Sequence, residues 1–110
     1  NITLKVEYKT VVVDIEDISY VEAMDNYVKV YRFGLPTVVS QITMKEMDSL
    51  LPADRFIRVH RSFIVSCNAI EKFSNRKIFL KNLDRPIPVG RTYTEAFNNL
   101  YNIFNQNKNS

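Results

Sequence analysis

Glycine is scarce in this chain of 110 residues: only Gly34 and Gly90 occur. That excludes a glycine-rich loop of the kind that cradles phosphates. Cysteine occurs once, as Cys67. No disulfide can close within the chain, which suits a reducing cytoplasm. Histidine also occurs once, as His60, and one His with one Cys falls short of the four ligands of an ordinary zinc site. No metal or cofactor is expected. No apolar run approaches the roughly 20 residues of a membrane helix, and no signal peptide opens the chain. The start at Asn1 rather than Met leads us to expect a piece of a longer protein.

Catalytic chemistry is equally thin. His60 and Ser62 stand two apart, but no G-x-S-x-G elbow is present and no carboxylate lies nearby in sequence to orient the imidazole. Glu16, Asp17, Glu22 and Asp25 are spread over a corner and a strand, where a solvated edge explains them better than a paired acid and base. An enzyme is not expected.

What the chain does have is lopsided charge. From Asn1 to Asp54 there are five Lys/Arg against nine Asp/Glu, whereas from Arg55 to Arg91 there are nine against two. Natural surfaces usually mix signs, so a cationic half of this kind calls for an anionic partner.

One domain is expected, from residue 1 to residue 110. It is organised around the run from Arg55 to Ser66, in which two strand-like pieces, Phe56 to Val59 and Phe63 to Val65, flank the polar knot His60-Arg61-Ser62. Arg55, Arg58 and Arg61 recur every third residue, and a bend near His60 would turn them to a common side.

Alternation predicts further strands at Ile2–Tyr8, Val11–Ile15, Ile18–Ala23, Tyr27–Phe33, Thr37–Ser40, Ile70–Phe73 and Ile78–Leu80. Pro86–Val89 reads as a short strand held to an edge by its two prolines. Thr43 to Glu46 is a capping box that opens a helix of about two turns, stopped by Pro52. Thr92 to Glu95 reads as a second box, opening a helix with Tyr93, Phe97, Leu100, Tyr101 and Phe104 on one face, fraying from Asn105 to Ser110. Neither helix presents a basic face. Asn26, Arg61, Arg76, Lys77 and Arg91 instead fall in turns or at strand ends, where contact residues collect on a rigid scaffold.

Three blocks carry a resemblance: D-I-S-Y-V-E-A-M-D-N-Y-V-K-V (17–30), F-I-R-V-H-R-S-F-I-V-S (56–66) and I-P-V-G-R-T-Y (87–93). They resemble, in order and spacing, the signature blocks of the LytTR-type DNA-binding domain of bacterial response regulators, over nearly the whole chain. The resemblance implies a mainly β fold of elongated antiparallel sheets, with a short helix packed between them and a C-terminal helix. It implies an output domain in transcriptional control, bound as a dimer to repeated promoter half-sites of duplex DNA. It also implies a phosphorylated receiver domain that this chain lacks.

Carried over by position, the DNA-facing residues are Asn26, Tyr27 and Lys29, then His60, Arg61 and Ser62, then Gly90, Arg91 and Thr92. Asn26 and Arg61 are expected at base edges, and Lys29, Arg76, Lys77 and Arg91 at phosphates. His60 is equally suited to packing. Ser66 and Gly90 depart from the family's usual Asn and Ser, the second removing a hydroxyl donor from a contact loop. The competing reading is a β-rich module that binds an acidic protein or a small anion with the same cationic face.

Overall fold

The computed structural model describes residues 1–108. Ten strands form three antiparallel sheets, with two α-helices, in a molecule of 41 × 29 × 26 Å. The central sheet has five strands in the order β5-β4-β3-β7-β6, built from β3 (Ile18–Met24), β4 (Tyr27–Arg32), β5 (Leu35–Ser40), β6 (Phe56–His60) and β7 (Phe63–Ser66). A two-stranded hairpin, β1 (Ile2–Val6) and β2 (Lys9–Val13), and a three-stranded sheet, β10-β9-β8, cover its two faces. The last comprises β8 (Ile70–Ser74), β9 (Lys77–Leu80) and β10 (Ile87–Pro88).

Strand alternation divides the central sheet between two cores. Val21, Val28, Val30 and Ile64 pair across neighbouring strands on one face and share a cluster with Ile2, Leu4 and Val13 of the hairpin. Met44 and Met47 of α1 (Met44–Leu50) complete that cluster, so the short helix packs in the core between the hairpin and the sheet. On the other face, Tyr20, Ile57, Val59 and Val65 meet Ile78, Leu80, Ile87 and Phe97. Phe97 belongs to α2 (Thr94–Lys108) and is fully buried.

Several boundaries differ from the alternation pattern. β1 stops at Val6, because Glu7 and Tyr8 form a tight turn with Glu7 in the left-handed region (φ 57°). The turn therefore precedes Lys9-Thr10, which begins β2. β5 starts at Leu35 and contains Pro36, tolerated on an edge strand. β10 keeps only Ile87–Pro88 of the stretch read as Pro86–Val89, again at an edge.

The capping box at α1 forms: Thr43 Oγ1 accepts from the Glu46 N–H, and the Thr43 N–H donates to Glu46 Oε1, both at 3.0 Å. The second box does not. Residues Arg91–Tyr93 instead make a 3₁₀ turn, and the Thr94 hydroxyl donates to the Gly90 carbonyl (3.2 Å).

α2 buries Phe97 with Tyr93, Tyr101 and Phe104 packed beside it, but Leu100 stays 41% exposed. At about 100° per residue it sits roughly 60° round from Phe97, at the margin of the stripe. The helix continues past Asn105 to Lys108; the fraying expected at Asn109 and Ser110 lies outside the described residues.

Glu22 departs from the solvated-edge expectation. β3 is flanked by β4 and β7, and the Glu22 side chain is only 17% exposed. Its carboxylate accepts a hydrogen bond from the Tyr31 hydroxyl (3.1 Å) and faces Arg85 at 3.7 Å. Tyr31 stacks on Tyr20 with centroids 4.3 Å apart. Burial, and after it the bond to Glu22, push the Tyr31 phenol up to about 12.

Two outcomes follow. Phe97→Ala should cost about 3–5 kcal/mol in urea unfolding, since it empties the centre of one core; a loss under about 1 kcal/mol would contradict the packing. Tyr31 holds its proton more tightly when folded than the usual phenol near pH 10. Its stabilisation is complete below about pH 10 and is lost as pH rises through about 12. Tyr31→Phe should therefore remove the latest phenolate step in an ultraviolet titration and flatten the alkaline loss of stability; an unchanged titration would count against the buried bond.

Candidate nucleic-acid interface

The knot between β6 and β7 is held by backbone hydrogen bonds to two neighbouring segments and by the side chains of His60 and Arg58. A bulge between Arg58 and His60 turns the end of β6 while Val59 stays fully buried. The Ser62 N–H donates to His60 Nδ1 (3.0 Å), so the neutral imidazole carries its proton on Nε2. The His60 ring also tilts against Phe63, centroids 5.6 Å apart. Arg58 donates from its guanidinium to the carbonyls of His60 (3.4 Å) and Arg61 (2.9 Å). Both carbonyls thereby gain a partner, and Arg61 is left exposed.

Neighbouring segments are tied to this knot in series. The Ala23 N–H donates to the Ser62 carbonyl (2.9 Å), which fixes the β3–β4 end beside it. Asp25 there takes a positive φ of 52°, Asn26 is exposed at the turn, and Tyr27 is half-buried at the start of β4. Asn26, Tyr27 and Arg61 line one groove of about 310 Å³ together with Thr43. On the other flank the Gly90 N–H donates to the Val59 carbonyl (2.7 Å), and the Val89 N–H to the Arg76 carbonyl (2.9 Å). Four separate pieces of chain thus end side by side.

Gly90 is extended (φ −63°), so left-handed freedom is not its use. A Cβ there would stand 2.9 Å from Tyr93 Cδ2 and 3.6 Å from His60 Cδ2. The bare Cα lets the Tyr93 ring close against the loop. Arg91 and Thr92 follow, both exposed. At the β8–β9 turn both Asn75 (φ 52°) and Arg76 (φ 58°) are left-handed, as a two-residue type I′ hairpin requires. That turn presents Arg76 and Lys77, both exposed.

Lys29 lies one step into the sheet, half-buried and opposite Glu22. The expected positions from Asn26 to Lys77 therefore gather along one end of the molecule, with Lys29 set back from its edge.

The three arginines of the central run do not turn to a common side. Arg55 precedes β6 and is bound to Glu16, whose carboxyl that guanidinium holds below its ordinary value. Arg58 is spent on the knot, and Arg61 alone is exposed. A five-residue strand separates the outer two by roughly 15–20 Å. Arg58 has a clamping role that the three-residue spacing does not reveal. Its alternation with the inward-facing Ile57 and Val59 was the available signal. The Tyr93 ring beneath Gly90 left no such signal.

Among the described residues, ion pairs engage Arg55 and Arg85 but none of Arg61, Arg76, Lys77 or Arg91. No group of three or more His, Cys, Asp or Glu there could hold a metal ion, and no helix is long and apolar enough to cross a membrane.

Comparison with known proteins gives the family and the fold. Residues 8–102 match the family model described as the LytTr DNA-binding domain. The chain is 35% identical over 107 residues to the sensory transduction protein LytT of Bacillus subtilis, covering 93% of this chain and 44% of that protein. It is likewise 35% identical over 107 residues to the transcriptional regulatory protein YpdB of Escherichia coli, with 93% and 43% covered. The chain thus spans under half the length of these relatives. The solved LytTr DNA-binding domain of a putative methyl-accepting/DNA response regulator from Bacillus cereus superposes with a TM-score of 0.74 at 32% identity, covering 90% of this chain and 94% of that one. With the family model spanning most of its length and the fold superposing throughout, this chain belongs to the LytTr DNA-binding domain family.

Proposed function

We propose that this chain binds duplex DNA sequence-specifically, as the output domain of a longer transcriptional regulator. The observation that carries the reading is the row of exposed cations and hydrogen-bonding side chains at one end of the sheets, drawn from four segments and tied together through backbone hydrogen bonds. Family membership and the names of the relatives support the same ligand.

Arg61 and Asn26, which share one groove, read base edges; a guanidinium donates two parallel hydrogen bonds, and an amide donates one and accepts one, both suited to the major groove. Arg76, Lys77, Arg91 and Lys29 meet phosphates and set the register. His60 serves first as part of the knot, because its Nδ1 is already engaged with the Ser62 N–H. Two such domains occupy repeated half-sites, and a receiver domain elsewhere in the full regulator controls them from the cytoplasm.

Gel-shift titrations against matched and scrambled duplexes test this. Arg61→Ala should lose about 1–3 kcal/mol on the matched site and relax specificity at one base pair, whereas Lys77→Ala should weaken both duplexes alike. Equal losses on both duplexes for Arg61→Ala would defeat the base-edge assignment. Contacts to about 4–8 phosphates should give a steep linear fall of log affinity with log salt; a shallow slope would favour an acidic protein or a small anion as the partner. Arg58→Ala should lower matched-site affinity about as much as Arg61→Ala without reducing the salt slope, since it unclamps the knot and removes no phosphate contact. A slope reduced by about one unit would reassign Arg58 to the duplex.

A further inference from the structure

Among the exposed large apolar side chains, Tyr8 stands apart at 103% relative exposure. It sits at the tip of the β1–β2 hairpin, a tight turn made with Glu7 in the left-handed region, and contributes nothing to either core. Lys9 follows it, exposed and paired with Val6. Strand alternation puts Val6 and Lys9 on the hairpin face that carries Leu4 and Val11, the face turned toward the five-stranded sheet.

The direction of the hairpin is fixed by its contacts. The Ser40 hydroxyl donates to the Lys5 carbonyl (2.8 Å), and Ser40 is paired with Val28. One step on, Val6 and Glu7 line a cleft of about 260 Å³ with Tyr27, Val39 and Gln41. From Lys5 to Glu7 the neighbours of β1 thus pass from Ser40 to Tyr27, the first residue after the β3–β4 turn, so the tip lies on the side of that turn. Tyr27 lines both this cleft and the groove that holds Asn26 and Arg61.

We propose that the hairpin tip is a further DNA contact, in which Lys9 and the Tyr8 hydroxyl grip the sugar–phosphate backbone beside the bases reached by Asn26 and Arg61. Lysine is a point charge suited to a phosphate, and tyrosine hydroxyls donate to phosphate oxygens. The tip carries no base-reading fork, so it adds affinity and register, with no sequence preference of its own. The inference rests on the DNA-binding reading above and extends its footprint by a segment that none of the three signature blocks contains.

Lys9→Gln and Tyr8→Phe test it, with Lys81→Gln, at the far end of β9 from Lys77, as the charge control. Circular dichroism checks that each variant is folded. Lys9→Gln should reduce the log–log salt slope by about one unit. Tyr8→Phe should weaken matched and scrambled duplexes by the same few-fold factor. Both variants should lose hydroxyl-radical protection at one edge of the footprint, and Lys81→Gln should match wild type. Wild-type slopes and footprints in both tip variants would overturn the proposal and leave the main interface standing. A changed matched-to-scrambled ratio in Tyr8→Phe would overturn the backbone assignment. Absence of salt-steep duplex binding by the wild-type chain would overturn the functional reading and this inference together.

Discussion

The central sheet is buried on both faces, and this constraint governs everything else in the molecule. Successive residues of β3, β4 and β7 feed opposite cores: Val21, Val30 and Ile64 on one side, Tyr20, Tyr31 and Val65 on the other. A slip of one residue would exchange the two sets and bring Glu22 into the wrong core. Register is therefore tightly held. Because register is held, the turns at the end of each strand fall at fixed places relative to one another.

That end is where rigidity becomes useful. The knot, the β3–β4 turn, the Gly90 loop and the β8–β9 turn are linked by backbone hydrogen bonds between 2.7 and 2.9 Å. Arg58 donates to the carbonyls of His60 and Arg61 and so ties the end of β6 to the turn. Arg76 occupies a left-handed conformation that disfavours a side chain by about 1 kcal/mol or more. Such strain persists only where the surrounding structure over-determines it. Loops ordered in advance lose less entropy when a ligand arrives, which favours affinity at a given contact area.

The arginines from Arg55 to Arg91 fall into two populations that composition alone merges. Arg55, Arg58 and Arg85 are engaged with Glu16, with the knot and with Glu22, and they hold the scaffold. Arg61, Arg76 and Arg91, with Lys77, are exposed, on segments tied to one another by backbone hydrogen bonds. Exposed cations on neighbouring turns, with no ion-pair partner among the described residues, attract a polyanion. Strand geometry contributes to this separation, since Arg55 and Arg61 stand at opposite ends of β6.

Sequence alone determined the strands, both helices, the first capping box and the turns that carry the cations. These are local: alternation, capping chemistry and turn residues act within a few positions. The second capping box failed because tertiary contacts around Gly90 and Tyr93 favoured a 3₁₀ entry, and no local rule weighs Thr92 against a distant ring. The three signature blocks pointed to the family from order and spacing. What only the tertiary structure decided was neighbourhood: that Arg58 is a clamp, that Glu22 is enclosed, that the hairpin end at Glu7 lies beside Tyr27. Such facts depend on strand order and register between segments far apart in the chain, and pairwise packing across two cores settles them, where period and propensity within one segment cannot.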